Sequence, residues 1–599
     1  MSLSTLDWVI VVVYLLGTLG LGLVFTRRAG RSTDEYFLSG RNLPWWLAGS
    51  SMVATSFSSD TPLFVTGLVR SGGISANWVW WSLVIGGMFS VFFLSRLWRR
   101  AQVMTDVELT EMRYSGRPAA VLRGLRAAYL AIPVHSISLA WVILSMIKIM
   151  DVLFGPAAMA ALVGSIAIMT LYSAMSGYWG VVVNDLVQLV IAMGGTVLLA
   201  VLAVWHFGGL ENLRVQALAC SKLNERLLEF FPRFEGGNPL ELSFWTSPFM
   251  GFLIFVSIQW WAYKNSDGGG IIVQRVASCK NEKQALLATL WFNIAHYAIR
   301  PWPWILVAMA SVVILPDLAD GEAAYPEMIR RFAPPGIMGL MFATFLAAFM
   351  STVSSYLNLS SAYLVNDVYR RFFAPNRSER HYVWVSRGAS CAFMLMGAGI
   401  AAVSDSIANL FTFLLAFTAG VGVIYLLRWF WWRINAWSEI SAMLASSLVS
   451  CLLYAFKEQL GGLTQPLILV LTTGISTAVA LIVTLATGPV ERGKLEAFYR
   501  KVRPPGRWGP VARSAGVAPA SGAGRLIVNW IGGTVMVLGA MFAIGKALLG
   551  EYLAFWAWAA IALAGGWIVW RAIAKLDKEN LPAEDEILDG SVQNLSHFC

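Results

Sequence analysis

Hydroxyl side chains recur inside an otherwise apolar segment of this chain. Residues 348–361 read AFMSTVSSYLNLSS. At about 3.6 residues per turn, one face of such a helix carries Ala348, Ser351, Thr352 and Ser355, with Ser354 beside them. A hydroxyl in an apolar span needs a partner, because a helix already satisfies its own backbone. Adjacent hydroxyls near a free carbonyl suit a dehydrated Na⁺, which takes oxygen ligands, while polar packing between membrane helices is the alternative.

A second apolar segment, 45–69, is a poor continuous helix. It contains Gly49, Asp60, Pro62 and Gly67 among several Ser and Thr residues. The proline removes one backbone donor and frees a carbonyl about four residues earlier. Unwound carbonyls at membrane depth persist where they are buried in protein or line a site for a ligand or ion. The pattern therefore predicts a broken helix beside an ion, with a kinked helix patched by hydroxyls as the alternative.

A carboxylate interrupts a third apolar region. The stretch SGYWGVVVNDLVQ, residues 176–188, contains Asp185. A carboxylate at membrane depth is costly unless it is paired or solvated, so it marks a functional position by default. The alternative is an interfacial Asp that caps a helix N-terminus. Three separate polar features of this kind favour an ion pathway.

The composition places these groups in a membrane protein. The 599 residues are 57% hydrophobic and 13% charged, whereas soluble domains are about one quarter charged. The net charge of +10, from 44 basic and 34 acidic residues, resides between apolar runs, which indicates the positive-inside rule and argues against nucleic acid as a partner. Five scattered histidines and five scattered cysteines provide no metal spacing and no catalytic constellation, so we do not expect an enzyme.

Apolar runs of about 20 residues must position the polar groups. About fifteen runs meet that criterion, at 8–25, 45–69, 78–97, 124–152, 157–178, 183–206, 244–263, 286–315, 336–366, 385–404, 406–427, 437–456, 464–487, 526–547 and 553–572. Basic residues concentrate in the odd-numbered connections, which predicts an external N-terminus and a cytoplasmic C-terminus. The Pro-, Gly- and Ala-rich stretch 488–525 predicts a mobile cytoplasmic linker.

Five blocks of the sequence, in order, resemble the sodium/solute symporter family, whose members share the leucine-transporter-type fold. The blocks are DEYFLSGRNLPWW, SGYWGVVVNDLVQ, GGGIIVQRVASCKNEKQA, STVSSYLNLSSAYLVNDVY and LRWFWWRINAWSEI. The resemblance covers roughly residues 5–460. The apolar runs predict an all-α polytopic membrane protein of about fifteen transmembrane helices, and the resemblance implies that spans 2–11 form a core of two inverted repeats of five helices each, with the other spans peripheral.

The predicted domains follow from that repeat. They are a first peripheral helix and cytoplasmic loop at 1–44, a ten-helix transport core at 45–428, peripheral helices at 429–487, the linker at 488–525, and two last helices with a short cytoplasmic tail at 526–599. Within the core, the two repeats are expected at about 45–207 and 244–428.

The resemblance also implies two sodium sites along the hydroxyl-bearing helix. The first would be formed by main-chain oxygens of Ala54, Phe57 and Ala348 and by the hydroxyls of Ser351 and Thr352. The second, which occurs in a subset of the family, would be formed by Asp185, Ser354 and Ser355. Na⁺ is therefore the expected coupling ion, with two ions in each cycle.

The positions expected to line the solute cavity are Thr61, Gln259, Trp260 and Trp261. The two tryptophans also suit helix packing or an interfacial belt. Sugar-transporting relatives use polar side chains at positions that correspond to Thr61, Trp80 and the stretch SIQWWAYKNSDGGG here, so a sugar is not supported. Proline-type relatives carry an Asp where this chain has Ser56, which argues against proline.

Three basic side chains, His135, Lys148 and Lys264, are unusual in apolar surroundings. They suit contact with an anionic solute, while snorkelling explains the two lysines as well. Taken together, the sequence predicts a sodium-coupled symporter of a small polar organic solute, embedded in the lipid of the cell membrane. A proton-coupled carrier, an uncoupled carrier and a transporter-like sensor are the alternatives.

Overall fold

The fold is built from α-helices. The structure, a computed structural model, describes residues 4–29, 38–103, 105–155, 159–520 and 522–578. Across these residues the β pairing is limited to two isolated bridges. In the first part of the chain the helices are α1 Thr5–Ala29, α2 Trp45–Ser56, α3 Asp60–Gly72, α4 Ile74–Ala101, α5 Gly116–Phe154, α6 Met159–His206 and α7 Leu210–Cys220.

The remaining helices continue the bundle. They are α8 Pro248–Ala262, α9 Gly269–Ala277, α10 Glu282–Ile314, α11 Ala324–Phe332, α12 Ile337–Phe373, α13 Glu379–Ala402, α14 Ile407–Phe417, α15 Val421–Phe430, α16 Ala436–Ala455, α17 Gln465–Ala486, α18 Arg492–Val502, α19 Gly509–Ser514, α20 Ala523–Leu548 and α21 Tyr552–Lys578. Single helical turns lie at Leu109–Arg113 and Leu242–Trp245.

Ten of the described helices are long and apolar enough to cross a membrane, and the bent pair α14 and α15 adds an eleventh. The predicted number of about fifteen is not reproduced by this criterion, because broken spans divide into short helices. In addition, the described residues of the spans predicted at 157–178 and 183–206 lie in one continuous helix, α6, which begins at Met159. No proline falls within α6, and glycine weakens a helix without ending it.

The predicted span 45–69 is discontinuous, and the predicted span 244–263 is followed by a break and a further short helix. Helices α2 and α3 are separated at Phe57, whose φ of −92° and ψ of 93° are extended. Pro62 lies in the first turn of α3, where a missing backbone donor costs nothing, so it can begin the second half but cannot continue the first. Helices α8 and α9 are separated by an irregular segment that ends at Gly268, where φ is +120°. Only glycine adopts that conformation without strain.

Helix α2 occupies the centre of the bundle, where it packs against α6, α9, α10 and α12. At Gly49 a β-carbon would lie 2.6 Å from the Ala288 carbonyl oxygen, so the glycine permits the close approach of α2 and α10. A parallel bridge between Leu43 and Cys279 joins the start of α2 to the end of α9. The broken helix is thus held by packing and backbone bonds on several sides.

The segment predicted as a mobile linker, 488–525, is instead largely packed. It contains α18 and α19, and its buried side chains include Leu495, Phe498, Tyr499 and Trp508. The prediction was wrong because the Pro-, Gly- and Ala-rich part at 503–524 follows a helix, α18, whose apolar residues at helical spacing are buried, namely Leu495, Phe498, Tyr499 and Val502. Two other predicted parts, the loop residues 30–37 and the tail residues 579–599, lie outside the described residues.

Candidate functional site

The end of α2 presents carbonyl groups that no further helical turn can satisfy, since the last carbonyls of a helix have no partner four residues on. The Ala54 carbonyl accepts the Phe57 backbone N–H at 3.0 Å. The Val53 carbonyl accepts the Ser56 hydroxyl at 2.9 Å and a guanidinium N–H of Arg300 at 3.3 Å. A carbonyl oxygen has two lone pairs, so the Ala54 oxygen can still bind a cation.

The hydroxyl-bearing helix α12 meets this break. Thr352 Oγ1 lies 3.4 Å from the Thr55 carbonyl oxygen, and Ser351 donates its hydroxyl to Asp185 Oδ1 at 2.8 Å. The residues predicted for the first sodium site are all less than 10% exposed, namely Ala54, Phe57, Ala348, Ser351 and Thr352. The tertiary structure therefore brings the Thr352 hydroxyl of α12 to the carbonyl end of α2, and the Ser351 hydroxyl to Asp185 of α6.

Asp185 lies on α6 and is buried among polar groups. Its carboxylate accepts the Ser51 hydroxyl at 2.6 Å and pairs with Arg275 at 3.2 Å, and both charged side chains are 2% exposed. Arg275 in turn donates to the hydroxyls of Ser51 and Thr55. Because α6 continues through this position, Asp185 does not cap a helix N-terminus. An arginine on α9 neutralises its charge.

Two of the three residues predicted for the second sodium, Asp185 and Ser354, both contact Ser351. The Ser354 hydroxyl donates to the Ser351 carbonyl at 3.0 Å, while Asp185 accepts the Ser351 hydroxyl. Ser354 is buried and Ser355 is partly buried. The two predicted sites are therefore contiguous, and Ser351 belongs to the contacts of both.

The donor set consists of hydroxyl, carbonyl and carboxylate oxygens, which suits a hard cation. The part of the chain that the structure describes contains no group of three His, Cys, Asp or Glu side chains able to hold a metal ion. A dehydrated monovalent cation needs no such group, because main-chain and hydroxyl oxygens can replace its water. The chemistry of the site fits Na⁺ better than a transition metal.

The four residues predicted to line the solute cavity contact different helices and do not share one set of neighbours. Thr61 lies in the first turn of α3, beside the break. Gln259 is fully buried and donates to the Val79 carbonyl and, at 3.3 Å, to the Ser82 hydroxyl, so it joins α8 to α4. Trp260 packs against Trp530 of α20 with a ring separation of 5.2 Å. The Trp261 indole N–H bonds to the carbonyl one turn earlier.

The three unusual basic residues all have protein partners. The His135 ring bonds to the Ser360 hydroxyl at 2.8 Å. Lys148 forms ion pairs with Asp320 and Glu322 at 2.8 and 2.7 Å. Lys264 donates to the Asn265 side chain at 3.1 Å. Contact with an anionic solute is therefore not needed to explain any of them.

Two polar residues beside the break were not identified from the sequence. His296 and Arg300 lie on α10, and the His296 ring nitrogen Nδ1 is 3.0 Å from the Ser56 hydroxyl. The Trp80 ring meets the His296 ring edge to face at 5.8 Å. The signal that could have revealed them is an arginine inside the apolar run 286–315, which carries the same functional implication as an intramembrane carboxylate.

Comparisons with known proteins identify one family for this chain. The sequence model of the sodium:solute symporter family matches residues 36–446. The chain is 23% identical over 475 residues to the sodium/glucose cotransporter of Vibrio parahaemolyticus, covering 74% of this chain and 84% of the relative. It is 27% identical over 489 residues to sodium/myo-inositol cotransporter 2 of Rattus norvegicus, covering 75% and 70%.

A similar solved structure is the substrate-bound, outward-open state of a Na⁺-coupled sialic acid symporter. The match has a TM-score of 0.65 at 20% identity and covers 82% of this chain and 99% of that chain. At this identity the likeness concerns the fold.

Proposed function

This chain belongs to the sodium:solute symporter family, and on that premise we propose that it moves a small polar organic solute across the cell membrane together with Na⁺. The observation that carries the proposal is the meeting of the broken helix α2–α3 with the hydroxyls of α12, where Thr352 Oγ1 faces the Thr55 carbonyl at 3.4 Å. Discontinuous helices whose free carbonyls bind the coupling ion are a recurring device of secondary transporters.

In the proposal the first sodium lies between α2 and α12. Main-chain oxygens of Ala54, Phe57 and Ala348 and the hydroxyls of Ser351 and Thr352 hold it. An ion in that position joins the first broken helix to a helix of the other predicted repeat, so it stabilises conformations in which the two stay together. Its release on the other side of the membrane frees the repeats to rock against each other.

A second sodium at Asp185, Ser354 and Ser355 is the finer part of the proposal. In the structure the Asp185 carboxylate pairs with Arg275, so this ion would have to compete with the guanidinium. Each transported charge contributes about 2.3 kcal/mol per 100 mV of membrane potential. Two ions per cycle therefore double the electrical driving force.

The solute and the orientation belong to the proposal as well. The relatives that the chain resembles are cotransporters of glucose and myo-inositol, but their identity of 23% and 27% does not carry a solute to this chain. We propose a multi-pass protein of the cell membrane, surrounded by lipid, with its N-terminus outside and its C-terminus in the cytoplasm. The proton-coupled and uncoupled carriers and the membrane sensor are the competing functions.

Transport by the purified full chain in proteoliposomes tests the proposal. Uptake of labelled solutes is measured under an inward Na⁺ gradient, an equal K⁺ gradient and a pH gradient without Na⁺. We expect uptake of at least one solute above its equilibrium concentration under the Na⁺ gradient alone. Uptake driven by the pH gradient indicates the proton-coupled carrier, and equal uptake under all three conditions indicates the uncoupled carrier.

A further inference from the structure

A buried guanidinium without a carboxylate partner lies at the break between α2 and α3. Arg300 is 1% exposed. It donates to the Val53 carbonyl at 3.3 Å and approaches the Ser56 hydroxyl at 3.4 Å. Within the described residues its Nε has no hydrogen-bond partner, and the side chain forms no ion pair. Its planar group lies against the rings of Phe57 and Trp304, at 5.5 and 5.1 Å.

Three other buried arginines of this chain are paired with carboxylates, whereas Arg113, like Arg300, is buried and donates to main-chain carbonyls. Arg126 meets Asp106 at 2.7 Å, Arg275 meets Asp185 at 3.2 Å, and Arg428 meets Asp267. Burial of an arginine costs least when a carboxylate neutralises it, and removal of one partner of such a pair leaves an expensive charge. Arg300 differs from these three in that it is equally buried and has only neutral acceptors.

A carboxylate of opposite charge lies at the same break and keeps one of its oxygens unpaired. Asp60 is the first residue of α3, and its Oδ1 atom is buried without a hydrogen-bond partner among the described residues. Asp60 and Arg300 act on each other electrostatically, yet they form no direct ion pair within the described chain. The break thus contains one positive and one negative group, each with an unused polar atom.

We propose that the solute is a small zwitterionic amino acid or amino-acid-like compound, whose carboxylate binds Arg300 and whose ammonium group binds Asp60. This inference rests on the proposed function and specifies its solute. A planar guanidinium matches a carboxylate with two parallel hydrogen bonds. A zwitterion satisfies both unpaired charges and leaves the net charge of the site unchanged.

Other solute classes satisfy the site less well. A sugar or inositol offers hydroxyl groups and would leave both charges without a counter-ion. A hydroxy acid would pair with Arg300 but would leave the Asp60 carboxylate facing a neutral hydroxyl group. An amine would pair with Asp60 but would leave the Arg300 guanidinium without an anionic partner. A charge that stays buried without a partner of opposite sign is costly.

The first experiment changes the solute and leaves the protein intact. The reconstituted chain is tested for Na⁺-dependent uptake of the common L-amino acids and betaine, and of glucose, myo-inositol, lactate and choline. The amino acid that responds best is then compared with its amide and its hydroxy-acid analogue, for example alanine with alaninamide and lactate. We expect each analogue to lose at least about tenfold in apparent affinity, because each removes one charge pair.

The outcomes separate this inference from the proposed function. Na⁺-driven uptake of a sugar, inositol, lactate or choline without any zwitterion overturns the solute assignment and leaves sodium symport intact. A hydroxy acid that competes as well as its amino acid overturns the role of Asp60. Na⁺-driven uptake of none of the probe classes overturns the proposed function, and the solute assignment with it.

The second experiment changes the protein. Arg300→Gln should weaken zwitterion binding by at least about tenfold while Na⁺ still raises the thermal stability of the purified protein. Asp60→Asn should lower the preference for the amino acid over its hydroxy-acid analogue. Arg214→Gln, which removes a partly exposed arginine paired with Glu211, is the control for lost charge and should change neither quantity.

A purely structural role of Arg300 gives a different result. In that case Arg300→Gln lowers thermal stability and the transport rate, but the ratio of affinities for the amino acid and its amide stays at the wild-type value. An unchanged ratio in Arg300→Gln together with an unchanged preference in Asp60→Asn overturns the inference.

Discussion

The hydroxyls of Ser351 and Thr352 differ from the other polar groups of α12 in what they face. Ser351 faces the Asp185 carboxylate and Thr352 faces a main-chain carbonyl at the end of α2. Each hydroxyl thus has one oxygen acceptor, a carboxylate for Ser351 and a carbonyl for Thr352, and these oxygens suit either a bound cation or polar helix packing. At this scale, ion binding and helix packing predict different phenotypes.

Ser351→Ala and Thr352→Ala test the first sodium site. Each removes one oxygen ligand, and a hydrogen bond or ligand contact to a charged group contributes about 1.5–3 kcal/mol. We expect the apparent Na⁺ affinity for transport to fall by about tenfold or more in each variant. Thr344→Ala is the matched control, since Thr344 lies on the same helix and bonds to the Ile191 carbonyl. Wild-type Na⁺ dependence in both test variants would identify the hydroxyls as packing groups.

Asp185→Asn tests the second sodium. As an ion ligand Asp185 must supply negative charge, so its loss should lower the Hill coefficient for Na⁺ from about two towards one. Loss of both the Ser354 and Ser355 hydroxyls should have the same effect. The structure adds a competing expectation, because Asp185→Asn leaves Arg275 buried without a counter-ion, which costs about 3–5 kcal/mol.

The double variant Asp185→Asn with Arg275→Gln separates the two expectations. It removes both charges, so it should recover much of the stability lost in Asp185→Asn, as measured by thermal unfolding of the purified protein. A ligand role predicts that the Hill coefficient stays near one in the double variant. A return to the wild-type Hill coefficient would show that Asp185 serves only as a partner for Arg275.

At the scale of single elements, the segment 488–520, which contains α18 and α19 and which we call the clamp, bonds to the end of α15. The Arg507 backbone N–H bonds to the Phe430 carbonyl and the Trp508 indole N–H bonds to the Trp429 carbonyl, both at 2.7 Å. The Arg113 guanidinium lies 4.7 Å from the Trp508 ring. This segment therefore connects α15 to the loop region before α5.

Trp508→Ala tests whether the clamp is a folded part of the protein. Removal of a buried tryptophan side chain costs about 3–5 kcal/mol, so the variant should be cleaved by protease within 488–520 faster than the wild type in inside-out vesicles. Arg492→Ala is the control, because Arg492 is largely exposed in the same segment. Equal cleavage of the wild type and Trp508→Ala would restore the interpretation of a mobile linker.

At the scale of the whole molecule, buried charges tie the connecting segments together at one end of the bundle. Arg428 pairs with Asp267 and Glu439, and Tyr114 donates to Glu439 at 2.6 Å. Asp267 lies in the break between α8 and α9, so this network connects the second broken helix to α15 and α16. A rocking motion of the repeats has to strain or open such contacts, whichever side of the membrane they face.

Labelling of native cysteines tests the predicted orientation. Cys220 is exposed at the end of α7, in the connection predicted to lie outside, whereas Cys599 belongs to the predicted cytoplasmic tail. A membrane-impermeant maleimide should label the chain in intact cells through Cys220, so Cys220→Ser should abolish this signal. The signal from Cys599 should require permeabilisation. Loss of external labelling in Cys599→Ser and its persistence in Cys220→Ser would reverse the orientation.

Much of this architecture could be predicted from the sequence, because the membrane restricts the choices. A long apolar run without charges can only be a spanning helix or a buried one, and Pro62 among small and polar residues cannot continue a helix. The hydroxyl face of α12 follows from helical spacing alone. The family was also recognisable, since its motifs are local stretches of sequence in a fixed order.

Tertiary structure decided which polar groups meet. Asp185 and Arg275 are 90 positions apart, and Arg300 approaches Val53 from 247 positions away, so neither pairing has a local signal. The sequence also contains no local signal for the contact of Trp260 with α20, or for the burial of the apolar face of α18. Spacing along one helix determines which side chains share a face. The partner that each face meets depends on how distant helices pack. Packing decided that the Asp185 carboxylate, a predicted sodium ligand, is paired with Arg275 and is not free.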